Sequence, residues 1–495
     1  MSEKAFILSF DHGTTGIKAC LFEQSGVLKN YHLEKFSQYY PYEGWVEHDP
    51  QELWELALST AKKLLKKEKI NWSDIALIAT TNQRETTILW DKNTGKAVYP
   101  AIVWQCRRTA EYCQTLKNAG KESWVQERSG LILDPYFSAS KIRWILDHVP
   151  ECQNLLEKGS LLFGTVDTWI LWNLSGGALH ITDPSNASRS SLYNIHTQNW
   201  DQDLLDLFQV PKEILPELRP SSSILGESFP AHTGGFAIPL AGLAGDQQAA
   251  LYGQRCWEPG KAKSTYGTGT FVMMNLGQKS VCSKKGLLTT LACNSSGDPA
   301  FALEGSVFIA GAAVDWLEEI GIVERPEDLD TMAMALKSNE GVYFVPALVG
   351  LGAPHWNSKA RGMIWGLSQG VGKAHIARAV LEAMAYQTRE VLGLMEKESS
   401  IQVEELRVDG GVTRSQFLLQ FLADILATPV RKANDVHLTA KGAAYLGGLA
   451  TGFWASPEEI LTLPDESSII EPNMPQEKRE SLYQEWLEIE KKVLV

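Results

Sequence analysis

Apolar residues recur along this chain in two rhythms. Short runs such as Ala5 to Phe10, Ile17 to Phe22 and Ile75 to Thr80 have strand length and turn residues at their ends. Longer stretches carry helical spacing: Leu53, Trp54, Ala57, Leu58, Ala61, Leu64 and Leu65 mark one face of a helix capped by Asp49, with Pro50 in its first turn. Leu161 to Leu174 reads as a strand and a helix, Val314 to Ile320 as a helix, and Ala374 to Lys397 as a long, largely buried helix. Leu406 to Asp409 is a strand ending in Gly410-Gly411, followed by a helix that begins near Ser415 and stops before Pro429. Small residues from Gly442 to Gly448 suit close helix packing, and Pro475 to Leu487 reads as an amphipathic surface helix. The region from about 176 to 240 is rich in Ser, Asn, Gly and Pro, and its interest lies mainly in the loop His232-Thr233-Gly234-Gly235.

Strands alternating with helices make this an α/β chain, and 495 residues exceed one ordinary core, so two domains are expected, 1–254 and 255–495. A net charge of -13 argues against nucleic acid and anionic membranes, which need a basic face. The seven cysteines form no C-x-x-C pair, which points to a reduced, cytoplasmic compartment. Met1 to Lys4 lead into a strand pattern, so no secretory signal is expected, and no apolar run is long enough for stable membrane insertion. The histidines show no ligand spacing, so His or Cys metal ligation is not expected.

Candidate chemistry gathers at strand ends. Between the first two strands lies Asp11-His12-Gly13-Thr14-Thr15-Gly16, with Lys18 just beyond. Such a turn can aim backbone N–H groups and hydroxyls at phosphate oxygens while Asp11 faces a hydrated cation; it can also be a tight hairpin that needs glycine. Lys263 to Met274 repeats the scheme around Gly267-Thr268-Gly269, which suggests two related halves. Leu243 to Ala250 presents Asp246 where a strand turns into a helix, as a plain cap or as a reactive carboxylate. The strand from Ile75 runs into Arg84 and Glu85, opposite charges that suit a polyol, whose hydroxyls both donate and accept. Gly370-Val371-Gly372-Lys373 fails as a Walker motif, with Leu367 and Ala374 at its required positions.

With these stretches together, the sequence strongly resembles the FGGY carbohydrate kinases, and nearly the whole chain takes part. The matching pieces are D-H-G-T-T (11–15), G-W-V-E-H-D-P (44–50), T-N-Q-R-E-T-T (81–87), A-I-V-W-Q-C-R-R-T (101–109), D-P-Y-F-S (134–138), A-G-D-Q-Q-A-A (244–250), Y-G-T-G-T-F (266–271) and L-R-V-D-G-G (406–411). Several belong to the glycerol-specific branch. The resemblance implies two ribonuclease-H-like domains of the actin/hexokinase/Hsp70 type, with the active site in the cleft between them. It implies polyol and phosphate binding on 1–254 and nucleotide binding on 255–495.

The implied reaction is MgATP plus glycerol giving ADP and sn-glycerol 3-phosphate; a kinase for another small polyol or ketose is the alternative. Residue by residue, the resemblance places Arg84, Glu85, Tyr136, Asp246 and Gln247 on the hydroxyls and Trp104 and Phe271 over the carbons. Thr14, Thr15, Gly16 and Lys18 meet the transferred phosphate from one side, Thr268 and Gly311 from the other. Gly411, with Asp315 and Ser415, lies near the nucleotide; Asp246 accepts the hydroxyl proton, and Asp11 and Asp246 attend Mg2+. A homo-oligomer, dimer or tetramer, is expected.

Departures from the family pattern are Lys18 in place of Arg, Asp315 in place of Gln and Ser415 in place of Asn. Some bacterial members bind fructose 1,6-bisphosphate with a Gly-Gly-Thr-Arg loop; Phe236 follows Gly234-Gly235 here, and that inhibition is not expected. His232 stands seven residues before Pro239, the spacing at which another branch is phosphorylated by a phosphocarrier protein.

Overall fold

The computed structural model describes residues 5–296, 298 and 300–494. Met1 to Lys4, on which the reading of the N-terminus rests, lie outside the described residues. The chain forms two compact units, one running to Arg255 with Thr290–Phe301 and His437–Pro464, the other comprising Cys256–Thr289, Ala302–Val436 and Asp465–Val495.

The first unit is built on a six-stranded sheet of β1 (Phe6–His12), β2 (Gly16–Glu23), β3 (Leu28–Lys35), β4 (Ile75–Asn82), β5 (Ile224–Glu227) and β6 (Pro239–Gly245), in the spatial order β5-β6-β4-β1-β2-β3. β1 pairs antiparallel with β2 and parallel with β4, and β6 is parallel to β4. Ile7, Leu8, Leu21, Leu77 and Leu243 are fully or almost fully buried, as expected of strands covered on both faces.

Helix α1 (Pro50–Glu68) starts where Asp49 accepts hydrogen bonds from the backbone N–H groups of Gln51 and Glu52, and it buries Leu53, Trp54, Ala57, Ala61, Leu64 and Leu65. A further apolar cluster gathers Ile102, Leu133, Phe163, Leu204 and Phe208 with α2 (Ser138–His148).

The second unit repeats the scheme. β7 (Ala262–Tyr266), β8 (Thr270–Gly277), β9 (Leu288–Leu291), β10 (Phe301–Val307), β11 (Leu406–Asp409), β12 (Val430–Ala433) and β13 (Ser467–Ile470) lie in the order β9-β10-β8-β7-β11-β12-β13. β7 pairs antiparallel with β8 and parallel with β11, and β11 is parallel to β12. The core order β10-β8-β7-β11-β12 thus matches β3-β2-β1-β4-β6, so the two similar Gly/Thr turns in the sequence open two copies of one sheet plan.

Its helices include α4 (Gly311–Glu319), α5 (Lys373–Ser399), α6 (Gln416–Leu426) and α8 (Gln476–Glu490), while α3 (Asp246–Gly253) and α7 (Leu438–Thr451) belong to the first unit.

Glycines let α7 approach β6 and α3 closely. A Cβ on Gly442 would stand 1.9 Å from the carbonyl oxygen of Ala249, one on Gly253 2.1 Å from that of Leu438, and one on Gly447 2.3 Å from that of Ala241. This contact draws a segment of the second half of the chain into the first unit, underneath the helix that Asp246 begins.

Among the described residues no helix is long and apolar enough to cross a membrane.

Candidate active site

Parallel strands β1, β4 and β6 end side by side at His12, Asn82 and Gly245, the edge of an α/β sheet where ligands bind. Thr81 is registered with Asp11 on one side and Ala244 on the other, so the backbones of β1 and β6 are two strand spacings apart, about 10 Å. Gly245 is the N-cap of α3 and Asp246 its first residue, so Asp246 is not the cap itself. Its Oδ1 accepts a hydrogen bond from the backbone N–H of Gln247 at 2.7 Å, and its side chain is 28% exposed.

Arg84 holds this carboxylate from the neighbouring strand end. Its Nε lies 3.1 Å from Asp246 Oδ1 and its Nη1 donates to Gln248 Oε1 at 3.2 Å. The side chain runs across Gly245, where a Cβ would come within 2.7 Å of Arg84 Cδ. Glycine at 245 is therefore required by the arginine's path, its own backbone being extended (φ -61°).

Glu85 adopts a left-handed conformation (φ 61°), which turns its side chain away from that of Arg84. Its Oε1 accepts from Arg189 Nε at 2.7 Å, and both side chains are buried. The Arg189 guanidinium stands 5.5 Å from the ring centre of Tyr136 and 5.2 Å from that of Phe137. Ser138 donates to the carbonyl of Glu85 at 2.9 Å. Lys141, buried in α2, donates to the carbonyl of Phe137 at 3.1 Å and also to that of Tyr136; burial pushes its ammonium down to about 8.

Trp104 completes this wall: its Nε1 donates to Thr14 Oγ1 at 3.0 Å and its ring lies 5.5 Å from that of Tyr136. Arg84, Glu85, Trp104, Tyr136, Asp246 and Thr14 are thus linked into one wall of the first unit. Gln247 occupies the first turn of α3, mostly buried.

The Gly/Thr turn between β1 and β2 exposes Thr15 and half exposes Thr14, while Lys18 pairs with Asp11 at 3.1 Å. The Asp11–Lys18 pair is fixed by strand register, and the attraction of Asp11 holds the lysine above its usual range. Gln83 donates to the carbonyl of Gly13 at 3.1 Å and so ties this turn to the Arg84 loop. The carboxylates of Asp11 and Asp246 are oxygen donors of the kind a hard cation such as Mg2+ takes.

In the second unit the matching strand ends carry the other named residues. Gly267 and Thr268 are exposed in the turn after β7, and their carbonyls accept from Gly311 N at 2.9 Å and from Ala312 N at 3.1 Å. This turn captures the first N–H groups of α4, which begins at Gly311, three residues before the apolar pattern at Val314. A Cβ on Gly311 would lie 2.6 Å from the carbonyl of Gly267.

Gly410 (φ 101°) packs against the backbone of Tyr266, whereas a Cβ on Gly411 would meet nothing within 4 Å, leaving an open backbone face after β11. Ser415 caps α6, accepting from Leu418 N at 3.0 Å and donating to Asp330. Asp315 is exposed on α4, and Phe271 is half-buried at the start of β8.

The region 176–240 contributes more than its His232 loop. Asp183 caps the short helix Pro184–Ala187. Asn186 and Asn82 exchange side-chain hydrogen bonds at 2.9 and 3.2 Å, Ser185 accepts from Gly245 N at 2.8 Å, and Arg189 holds Glu85. No local motif marks these residues; their roles come from contacts with strand ends far away in sequence. His232 itself is half-buried, edge-on to Trp54 at 5.1 Å, and burial lowers its pKa.

The N-terminal domain of the FGGY family of carbohydrate kinases matches residues 6–253, and the C-terminal domain matches residues 262–451. The chain is 52% identical to Glycerol kinase 2 of Thermotoga maritima, covering 98% of this chain and 97% of that one. It is 51% identical to a glycerol kinase of a Thermoanaerobacter species, covering 97% of each. Among solved structures it resembles the Plasmodium falciparum glycerol kinase with ADP at a TM-score of 0.92 and 33% identity, over 99% of this chain and 98% of that one. A xylulose kinase of Lactobacillus acidophilus shares the fold at a TM-score of 0.88 and 21% identity, over 98% of each chain. With both family domains matched in sequence over most of its length, and the doubled sheet plan described above, this chain belongs to the FGGY family of carbohydrate kinases.

Proposed function

We propose that this chain phosphorylates glycerol at the expense of MgATP, giving ADP and sn-glycerol 3-phosphate. The observation that carries the reading is the Arg84–Asp246 pair at the ends of β4 and β6, beside Glu85 and the rings of Trp104 and Tyr136. Relatives of half-identical sequence named glycerol kinase support it, as does the likeness to a glycerol kinase solved with ADP.

Phosphoryl transfer asks the protein mainly to position the nucleophile and to stabilise charge. In this reading Asp246 accepts the proton of the attacking hydroxyl, and the adjacent Arg84 guanidinium favours its ionised form. Glu85, Arg84 and Gln247 pair with the remaining hydroxyls, Tyr136 donates or accepts through its phenol, and Trp104 with Phe271 covers the carbons.

Thr14, Thr15, Gly16 and Lys18 on one unit, and Thr268 and Gly311 on the other, donate to phosphate oxygens. Gly411, Asp315 and Ser415 lie beside the adenosine. Bound Mg2+ neutralises phosphate charge, and Asp11 and Asp246 are the residues to hold it, directly or through water. Residues 1–254 would serve the polyol and phosphate and 255–495 the nucleotide, in a cytoplasmic homo-oligomer. Phosphorylation of His232 by a phosphocarrier protein would appear as a gain in intact mass after incubation with the phosphorylated carrier, and no gain removes it.

A panel of small polyols and sugars in a coupled ADP-release assay tests the substrate. Glycerol is expected to give the highest kcat/KM, and a preference for xylulose or erythritol would replace the assignment with another polyol or ketose.

A further inference from the structure

In the second unit, away from the strand ends, three side chains from distant parts of the sequence converge. His355 stands in the loop between the short strands Tyr343–Val345 and Met363–Trp365, Glu390 lies on α5, and Glu490 is the last residue of α8. One ligand atom from each falls within 4.8 Å of the other two. His355 Nε2 is 3.1 Å from Glu390 Oε1 and 3.4 Å from Glu490 Oε1. Ligands about 2.0–2.1 Å from a tetrahedral Zn2+ stand roughly 3.3 Å from one another, and the two His355 separations are close to that value.

The environment asks for such a partner. Glu490 is 2% exposed and shares His355 Nε2 with Glu390 as its ion-pair partner. A buried carboxylate oxygen in that condition is costly.

The cluster is reachable, because His355 and Glu390 line a cavity of about 780 Å³ with Tyr483 and Leu487 on its wall. Lys285, Arg389 and Lys397 line the same cavity, and their charge suits a water or an anion as the remaining ligand.

We propose that His355, Glu390 and Glu490 bind a divalent transition-metal ion of the Zn2+ type, with one coordination position open to the cavity. An imidazole nitrogen beside two carboxylates favours Zn2+ over Mg2+, which prefers oxygen ligands and retained waters. The ion clamps α8 to α5 and to the loop carrying His355. The site is built from other residues than the carboxylates assigned to nucleotide-associated Mg2+ and does not depend on the substrate reading.

The test is titration of the chelator-stripped full chain with Zn2+ by calorimetry, without nucleotide, alongside H355A, E390Q and E490Q shown by circular dichroism to be folded. One Zn2+ equivalent is expected in the parent chain, with affinity falling at least tenfold in each folded variant and a Zn2+-dependent rise in Tm that H355A lacks. Co2+ in place of Zn2+ is expected to give visible ligand-field bands that H355A abolishes. Equal Zn2+ affinity in parent and variants, or no Zn2+ binding by the parent chain, overturns the site; the latter would leave His355 as a protonated counter-ion between two carboxylates.

Discussion

Arg84 Nε lies 3.1 Å from Oδ1 of Asp246, an ion pair that joins the loop after β4 to the first residue of α3. Arg84 is buried, and its second contact, to Gln248, fixes the guanidinium plane. A lysine has one compact charge and no fork, so it cannot serve both partners. Arg84→Lys is expected to raise the KM for glycerol about tenfold or more and to lower kcat less. Steady-state kinetics with glycerol and MgATP varied separately check this, and an unchanged glycerol KM counts against the assignment.

Gly245 provides a test by steric bulk. A Cβ at this position would lie 2.7 Å from Arg84 Cδ and 2.8 Å from its Cγ, and neighbouring strands restrict any escape. Gly245→Ala is expected to destabilise the chain by about 1–3 kcal/mol, the usual range for overpacking, and to impair glycerol binding by displacing the guanidinium. Urea unfolding and the glycerol KM report the two effects; an unaltered KM would mean that Arg84 does not contact the substrate.

The Glu85–Arg189 pair is buried on both sides, at 1% and 0% side-chain exposure. Removing one partner strands a charge, so Arg189→Met is expected to cost about 3–5 kcal/mol. Glu85→Gln combined with Arg189→Met should cost less than the sum of the single changes, because the pair then disappears together. A double-mutant cycle by denaturant unfolding measures this coupling, and additive losses would contradict it.

His48 sets an acid limit on stability. Its ring is buried edge-on to Phe36 at 4.8 Å, neither nitrogen is hydrogen-bonded, and desolvation pushes its pKa down to about 4 from 6.5. The unfolded chain binds this proton near pH 6.5 and the folded chain only near pH 4. Stability from His48 is therefore present above pH 6.5 and is lost as pH falls toward 4, by about 3 kcal/mol in total. Urea unfolding between pH 4 and 7 should show a shallower acid loss in His48→Phe than in the parent chain; identical slopes would exclude this contribution.

Much of the candidate site was legible because its residues sit at points where the hydrophobic pattern breaks. The strand ends at Asp11, Arg84-Glu85 and Gly245-Asp246 interrupt apolar runs with charge and glycine, and the repeated Gly/Thr turn revealed the doubled sheet. Arg189, Asn186 and Lys141 were not legible as site residues. Each acts through a partner brought near only by folding, as when Arg189 meets Glu85 across 104 residues of sequence, and a lone arginine in a Ser/Asn-rich stretch carries no periodic signal. The start of α4 was misplaced for a related reason: backbone carbonyls of the Gly267-Thr268 turn recruit N–H groups ahead of the first apolar helical residue.

The central claim is that Asp246 takes the proton from the glycerol hydroxyl, and turnover of Asp246→Asn beside glycerol affinity measured by calorimetry tests it most directly. The account predicts that turnover falls by about 10²- to 10⁴-fold, the usual contribution of a general base, while glycerol still binds. Near-parental turnover in that variant would contradict it.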